Sequence, residues 1–178
     1  PSNLNIYYPD EYYPIPSINR INKLSKKNQY QVDMISKFAP KKGRMLEIGS
    51  AYGVFANQAN KSGYIVDSIE MSHICCDFLS NKLGIKAYQS DTPQDIIPRL
   101  ESDYNVVAMW HNIEHLLNPW IVIERAVEKI SPGGIFLIAT PNPDSIAFRI
   151  LGSFWPHVDA PRHINLIPEN LLTKKLKG

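Results

Sequence analysis

The stretch Met45-Leu46-Glu47-Ile48-Gly49-Ser50-Ala51-Tyr52-Gly53 decides how this chain folds. Met45 to Ile48 form a short apolar run, the pattern of a strand covered on both faces. The run passes straight into a glycine-bearing turn, and Val54 to Lys61 then read as a helix closed by Ser62-Gly63. A glycine in such a turn permits positive φ and lets backbone approach a ligand closely. The helix that follows begins with unpaired N–H groups. In doubly wound α/β sheets ligands bind in this crevice, beyond the carboxyl ends of the strands.

Working outward, the alternation continues. Tyr64 to Ile69 read as a second strand, and Ser72 as the N-cap of a helix that runs to Leu83 and stops at Gly84. Ile85 to Gln89 give a third strand, Pro93 to Leu100 a short helical or irregular stretch, and Tyr104 to Trp110 a strongly apolar fourth strand. Pro119 opens a helix reaching Ile130, with Ser131-Pro132-Gly133-Gly134 as its stop and Ile135 to Thr140 as the fifth strand. Units of this length imply a parallel sheet with crossover helices.

On the N-terminal side, residues 1–19 read as an aromatic arm or lid marked by Tyr7-Tyr8-Pro9 and Tyr12-Tyr13-Pro14, and 20–178 as one domain. Ile21, Leu24, Val32, Ile35 and Phe38 recur near helical spacing, predicting one helix from Asn19 to Phe38. Pro141 to Pro168 read as irregular, and a last helix follows Pro168.

Composition narrows the functions. Of 178 residues 44% are hydrophobic and 20% charged, with a net charge of +2. The lysine pairs are scattered, whereas a nucleic-acid groove needs a basic stripe with interleaved aromatics, so no nucleic-acid partner is expected. The two cysteines, Cys75 and Cys76, are adjacent, a poor geometry for a disulfide, and they carry no zinc spacing. A reducing compartment, the cytoplasm, is therefore expected, with no membrane span and with self-association left open.

The glycine spacing discriminates between nucleotides. A dinucleotide fingerprint, G-x-G-x-x-G, would place its third glycine on Val54, and no Gly-Lys-Ser/Thr is present for a P-loop. Glu47, Gly49, Ala51 and Gly53, two residues apart, instead resemble the E/D-x-G-x-G-x-G motif of class I S-adenosylmethionine-dependent methyltransferases, with Ala51 where the middle glycine often stands. Glu70 at the end of the second strand and Asp91 after the third fall where that family keeps acids. Val107 to Pro119, which contains Glu114-His115, resembles the small-molecule, ubiquinone-biosynthesis-like subgroup. So do Thr140-Pro141-Asn142-Pro143, Pro161-Arg162-His163-Ile164 and the Tyr-Tyr-Pro arm.

The resemblance implies a Rossmann-like class I methyltransferase fold and S-adenosylmethionine as cofactor. Glu47, Gly49, Ser50, Ala51, Tyr52 and Gly53 would cradle it, Glu70 would accept bonds from its ribose, Met71 would pack beside the adenine, Asp91 would accept from the adenine amino group, and Thr92 would belong to the same cofactor-binding set. It implies methyl transfer to a small-molecule acceptor, at oxygen. The complete fold has seven strands and the chain reads as five, so strands six and seven are expected to be missing and strand five to present an apolar edge.

Displacement at a sulfonium needs alignment and exclusion of water, and a hydroxyl acceptor gains from a base. His111, directly after strand four, is the first candidate, as base or as a contact to the cofactor's methionine end, followed by His115 and His163. His111 to His115 also spell H-x-x-E-H, but the long helix that a zinc site needs is absent, and no metal is assigned. Trp155 is expected to touch substrate and Trp110 to pack in the core. Two other functions compete: an NAD(P)-dependent oxidoreductase or epimerase, and a non-catalytic nucleotide-binding regulatory module.

Overall fold

The computed structural model describes residues 8–9, 12–39, 42–101 and 103–177; Tyr7 and Pro40 lie outside the described residues. The chain opens with two helices, α1 (Ile18–Lys26) and α2 (Gln29–Ile35), where a single helix was expected. The break has a local cause. Lys27 N–H bonds to Leu24 O and Asn28 N–H to Ser25 O, so the helix tightens into i−3 bonding and ends. Ser25 is buried there and its hydroxyl accepts from Asn57 Nδ2 at 2.9 Å.

Then come β1 (Arg44–Ile48), α3 (Val54–Lys61), β2 (Ile65–Glu70), α4 (His73–Leu83), β3 (Lys86–Gln89), α5 (Pro93–Ile96), β4 (Tyr104–Trp110) and α6 (Pro119–Val127). The chain continues through β5 (Ile130–Ala139), α7 (Ile146–Leu151) and α8 (Glu169–Lys177). Ser72 caps α4 by accepting from Cys75 N–H, and Gly84 closes it with a left-handed φ of 67°. Both ends follow from short-range chemistry that the sequence displays.

Five parallel strands lie in the order β3-β2-β1-β4-β5. From β1 the chain steps outward to β2 and β3, then returns to place β4 on the other side of β1. The adjacent ends of β1 and β4 therefore form the crevice where a doubly wound sheet binds ligands. Alternate residues serve opposite faces. Met45, Val106 and Ala108 pack with Phe55, Ala59 and Leu79, while Leu46, Ile48, Val107 and Met109 pack with Val122, Ile123 and Ala126. Covering both faces explains why β4 is almost wholly apolar and why Met45, Leu46 and Ile48 of β1 are too.

Two further boundaries differ from expectation. The helix after Pro119 ends at Val127, and strand pairing begins at Ile130 against Tyr104, with a four-residue excursion, Ser131 to Gly134, before Ile135 pairs with Val106. Ser131 Oγ donates to Tyr104 O at 3.2 Å, so the excursion is anchored to the neighbouring strand. Helix α7, within a tail expected to be irregular, is capped by Ser145 and presents Ile146 and Ile150 to solvent. β5 forms the sheet edge, and Ile135 to Ala139 are half-buried where β4 is buried. Cys75 and Cys76 are free thiols, both buried. No helix among the described residues is long and apolar enough to cross a membrane.

Candidate active site

The turn after β1 is held in two left-handed conformations that only glycine adopts freely, Gly49 at φ 80° and Gly53 at φ 79°. Between them Ala51 takes φ 46°, a conformation costing an ordinary residue about 1–2 kcal/mol. Its N–H donates to Glu70 Oε2 at 2.7 Å, a charge-assisted bond that holds the turn in place. Gly49 N–H bonds to Ile69 O at 2.8 Å, and the Asn112 side chain lies where a Cβ on Gly49 would have to go.

The expected residues divide by position. Gly49, Ala51, Glu70, Met71, Asp91, His111 and His115 line one open cleft at the β1/β4 crevice. Glu47, Ser50, Tyr52, Gly53 and Thr92 are not among the residues that line it. Ser50 Oγ accepts from Ser68 Oγ at 2.6 Å, and Gly53 opens α3 while packing on Leu79. Thr92 N–H donates to Ser90 Oγ, and Ser90 borders the cleft beside Asp91.

Glu70 is almost fully buried and accepts from Ser72 N–H at 2.9 Å as well as from Ala51. Burial pushes its carboxyl above the usual range, and these backbone donors pull it back. Each carboxylate oxygen keeps a free lone pair, so the group can still accept from the two hydroxyls of a ribose. Glu47, beneath the turn, has its Oε2 buried without a hydrogen-bond partner, and burial raises its pKa to about 8.

The other wall comes from the segment after β4 and from the tail. His111 adopts φ 49°, the second non-glycine residue in a left-handed conformation at this cleft. Its Nδ1 lies 3.6 Å from Oε1 of the wholly buried Glu114, whose Oε2 accepts from Thr140 Oγ1 at 3.1 Å. Ile164 and Asn165 N–H both bond to Glu114 O, which docks the tail on this segment. His115 Nδ1 lies 2.7 Å from the Tyr8 hydroxyl and 3.1 Å from Arg162 O. His163 sits behind the cleft against His115, with ring centres 4.7 Å apart and its Nδ1 donating to His157 O at 2.7 Å. Ligand atoms of Glu114, His115 and His163 converge within 4.8 Å of one another.

Ser90, and Asn112 over Gly49, line the cleft without a sequence signal of their own, and Tyr8 and Tyr13 line it from the aromatic arm. Trp110 lines it too, while its ring packs on Phe55 at 5.2 Å. Trp155, expected at the substrate, is instead buried between Phe148 and His157, because these aromatic contacts remove it from the opening.

A methyltransferase-domain family model matches residues 20–177. The chain belongs to the methyltransferase-domain family. The ubiquinone biosynthesis O-methyltransferase of Xylella fastidiosa is 23% identical over 128 residues, covering 69% of this chain and 52% of the relative. That of Pseudomonas savastanoi pv. phaseolicola is 23% identical over 151 residues, covering 80% and 61%. This methyltransferase domain thus spans about half to six-tenths of the length of these curated relatives. Among solved structures, an S-adenosylmethionine-dependent methyltransferase from Archaeoglobus fulgidus superposes with a TM-score of 0.71 at 18% identity, covering 86% of this chain and 67% of that one. The five-stranded sheet is accordingly that of the class I methyltransferase fold.

The cleft of this methyltransferase domain fits the family's cofactor on its own geometry. Among the buried side-chain atoms of the described residues without hydrogen-bond partners, Trp110 Nε1 and Asn112 Oδ1 belong to residues that line this cleft. Unpaired buried polar atoms are rare in native proteins, and these two mark groups that a ligand would satisfy.

Proposed function

We propose that this domain transfers the methyl group of S-adenosylmethionine to a hydroxyl oxygen of a small-molecule acceptor. The observation that carries the reading is the turn–carboxylate unit: Glu70 accepts from Ala51 N–H at 2.7 Å while bordering the cleft with Gly49, Met71 and Asp91. Glu70 would hold the ribose, Asp91 and Met71 the adenine, and Gly49 and Asn112 the amino-acid end. The cofactor supplies an electrophilic methyl carbon on a sulfonium whose departure leaves a neutral thioether.

The chain's own work is alignment, exclusion of water and removal of the acceptor proton. Tyr8 and Tyr13 cover the cleft, and burial holds both phenols above their ordinary pKa, so they remain neutral donors near neutral pH. His111 takes the role of base, with His115 and His163 behind it. The names of the ubiquinone-biosynthesis relatives favour oxygen as the methylated atom, and the near-neutral charge favours a small acceptor over nucleic acid. Two buried free thiols suit a reducing compartment such as the cytoplasm.

Calorimetric titration tests the reading. S-adenosylhomocysteine is expected to bind one site, NAD(P)H to give no heat, and Glu70→Gln to weaken the former about tenfold to a hundredfold, the cost of hydrogen bonds to a charged group. Binding of NAD(P)H in preference would replace methyl transfer with redox chemistry.

A further inference from the structure

We infer that Glu114 is the positioning residue for proton removal: its buried carboxylate holds His111 with Nδ1–H towards it and leaves Nε2 free for the acceptor hydroxyl. The inference rests on the methyl-transfer reading above and selects one histidine among several.

Glu114 has no exposed surface and lies between Ile113 and Leu116, both core residues. A carboxylate stays charged in such a place only with partners. Thr140 Oγ1 satisfies Oε2, whereas Oε1 has no hydrogen-bond partner and faces His111 Nδ1 at 3.6 Å. A separation somewhat beyond hydrogen-bond length is common before substrate is bound and closes as the site fills. The His111 backbone is fixed by its N–H bond to Ala139 O at 2.8 Å and by its left-handed turn, so the ring borders both the cleft and the acid.

The neighbouring titratable groups are engaged elsewhere. His115 Nδ1 is shared between Tyr8 and Arg162 O, and burial pushes its pKa down, which keeps it neutral. His163 Nδ1 is bound to His157 O, and its Nε2 lies 3.9 Å from Asp159, itself paired to Arg162 at 2.6 Å. His157 lies nearly parallel to His111, with ring centres 6.5 Å apart. The facing Glu114 carboxylate raises the His111 pKa. Burial pushes Glu114 up, but the facing His111, the bond from Thr140 and the nearby His115 outweigh that and leave it below the usual range.

As the acceptor oxygen's electron pair forms the bond to the methyl carbon, the hydroxyl proton passes to His111 Nε2. The bond to sulfur breaks with its electrons staying on sulfur. One positive charge is lost at sulfur and one appears on the imidazolium, where Glu114 balances it. The arrangement follows the logic by which a buried acid fixes a catalytic histidine's tautomer.

Two-bond ¹H–¹⁵N spectra of the labelled protein test this without turnover. In wild type, neutral His111 is expected as the Nδ1–H tautomer, titrating above an ordinary imidazole. In Glu114→Gln the amide N–H faces Nδ1 and forces the proton to Nε2. Titration then moves to lower pH, and kcat/KM falls by about a hundredfold or more while S-adenosylhomocysteine still binds. Finding Nε2–H in wild type, or the same His111 titration in Glu114→Gln, overturns the inference. If the variant does not fold, the wild-type tautomer alone decides. Failure of S-adenosylhomocysteine to bind wild type would sink the methyl-transfer reading and leave the histidine spectra to be read independently.

Discussion

The wall of the cleft formed at the ends of β1, β2 and β3 is held by bonds between residues near one another in sequence, whereas the wall after β4 is held by bonds across much of the chain. Ala51 reaches Glu70 across 19 residues and Ser72 reaches it across two. On the other side, Tyr8 meets His115 across 107 residues, and His115 and Leu116 meet the tail at Arg162 and Asn165 across 47 and 49. The first wall is part of the sheet and forms with the core. The second exists only once the arm and tail have docked, and ordering those segments must be offset by a few polar contacts. The cofactor side is thereby rigid by construction, and the acceptor side is the part that opens most easily.

The largest test of this contrast is Gly49→Val. The residue would need a left-handed backbone and would drive its Cβ into Asn112, which joins the two walls. Cofactor affinity should fall by about a hundredfold or more, measured by titration with S-adenosylhomocysteine, and the melting temperature should drop. Retained affinity would mean the turn does not meet the ligand.

A smaller effect separates the walls by pH. Glu47 titrates near pH 8 in the folded protein because it is buried, against 4.5 for an unperturbed carboxyl. Between those values the native state keeps a proton that the unfolded chain has released, so stability falls as pH rises through that window. Melting curves of the unliganded protein should decline from pH 5 to pH 8, and Glu47→Gln should flatten that decline. An equal slope in both proteins would remove Glu47 as its cause.

The smallest expected change is on the acceptor wall. Asn165→Ala removes the bond from Nδ2 to Leu116 O, worth about 1 kcal/mol. Hydrogen exchange at Ile164 and Asn165, whose amides bond to Glu114 O, should speed up about fivefold, with the Gly49 and Ser90 amides unchanged. Equal acceleration at all four would show the walls open together.

Legibility in the sequence followed the same division. The Gly49–Gly53 turn, the Ser72 cap, the Gly84 stop and the acids at the ends of β2 and β3 are recorded in neighbouring residues, because caps, turns and strand ends are decided over a few positions. The tight i−3 bonding at Lys27-Asn28, the excursion inside β5 and helix α7 depart from the sequence expectation. Buried Ser25 and the anchoring of Ser131 to Tyr104 are contacts between separate elements, and local propensity does not carry them.

What the amino-acid order determined by itself was the alternation of strands and helices, the side of the sheet on which the cleft lies, and the turn chemistry suited to a nucleoside. What only the tertiary structure decided was the opposite wall: that Asn112 closes over Gly49, that Trp155 is buried, that Tyr8 and Tyr13 reach the cleft, and that His111 faces both the opening and a buried acid. The reason is physical. A strand, cap or glycine turn is favoured by energies acting within a few residues, while the partners of a buried carboxylate are chosen by where distant segments come to rest.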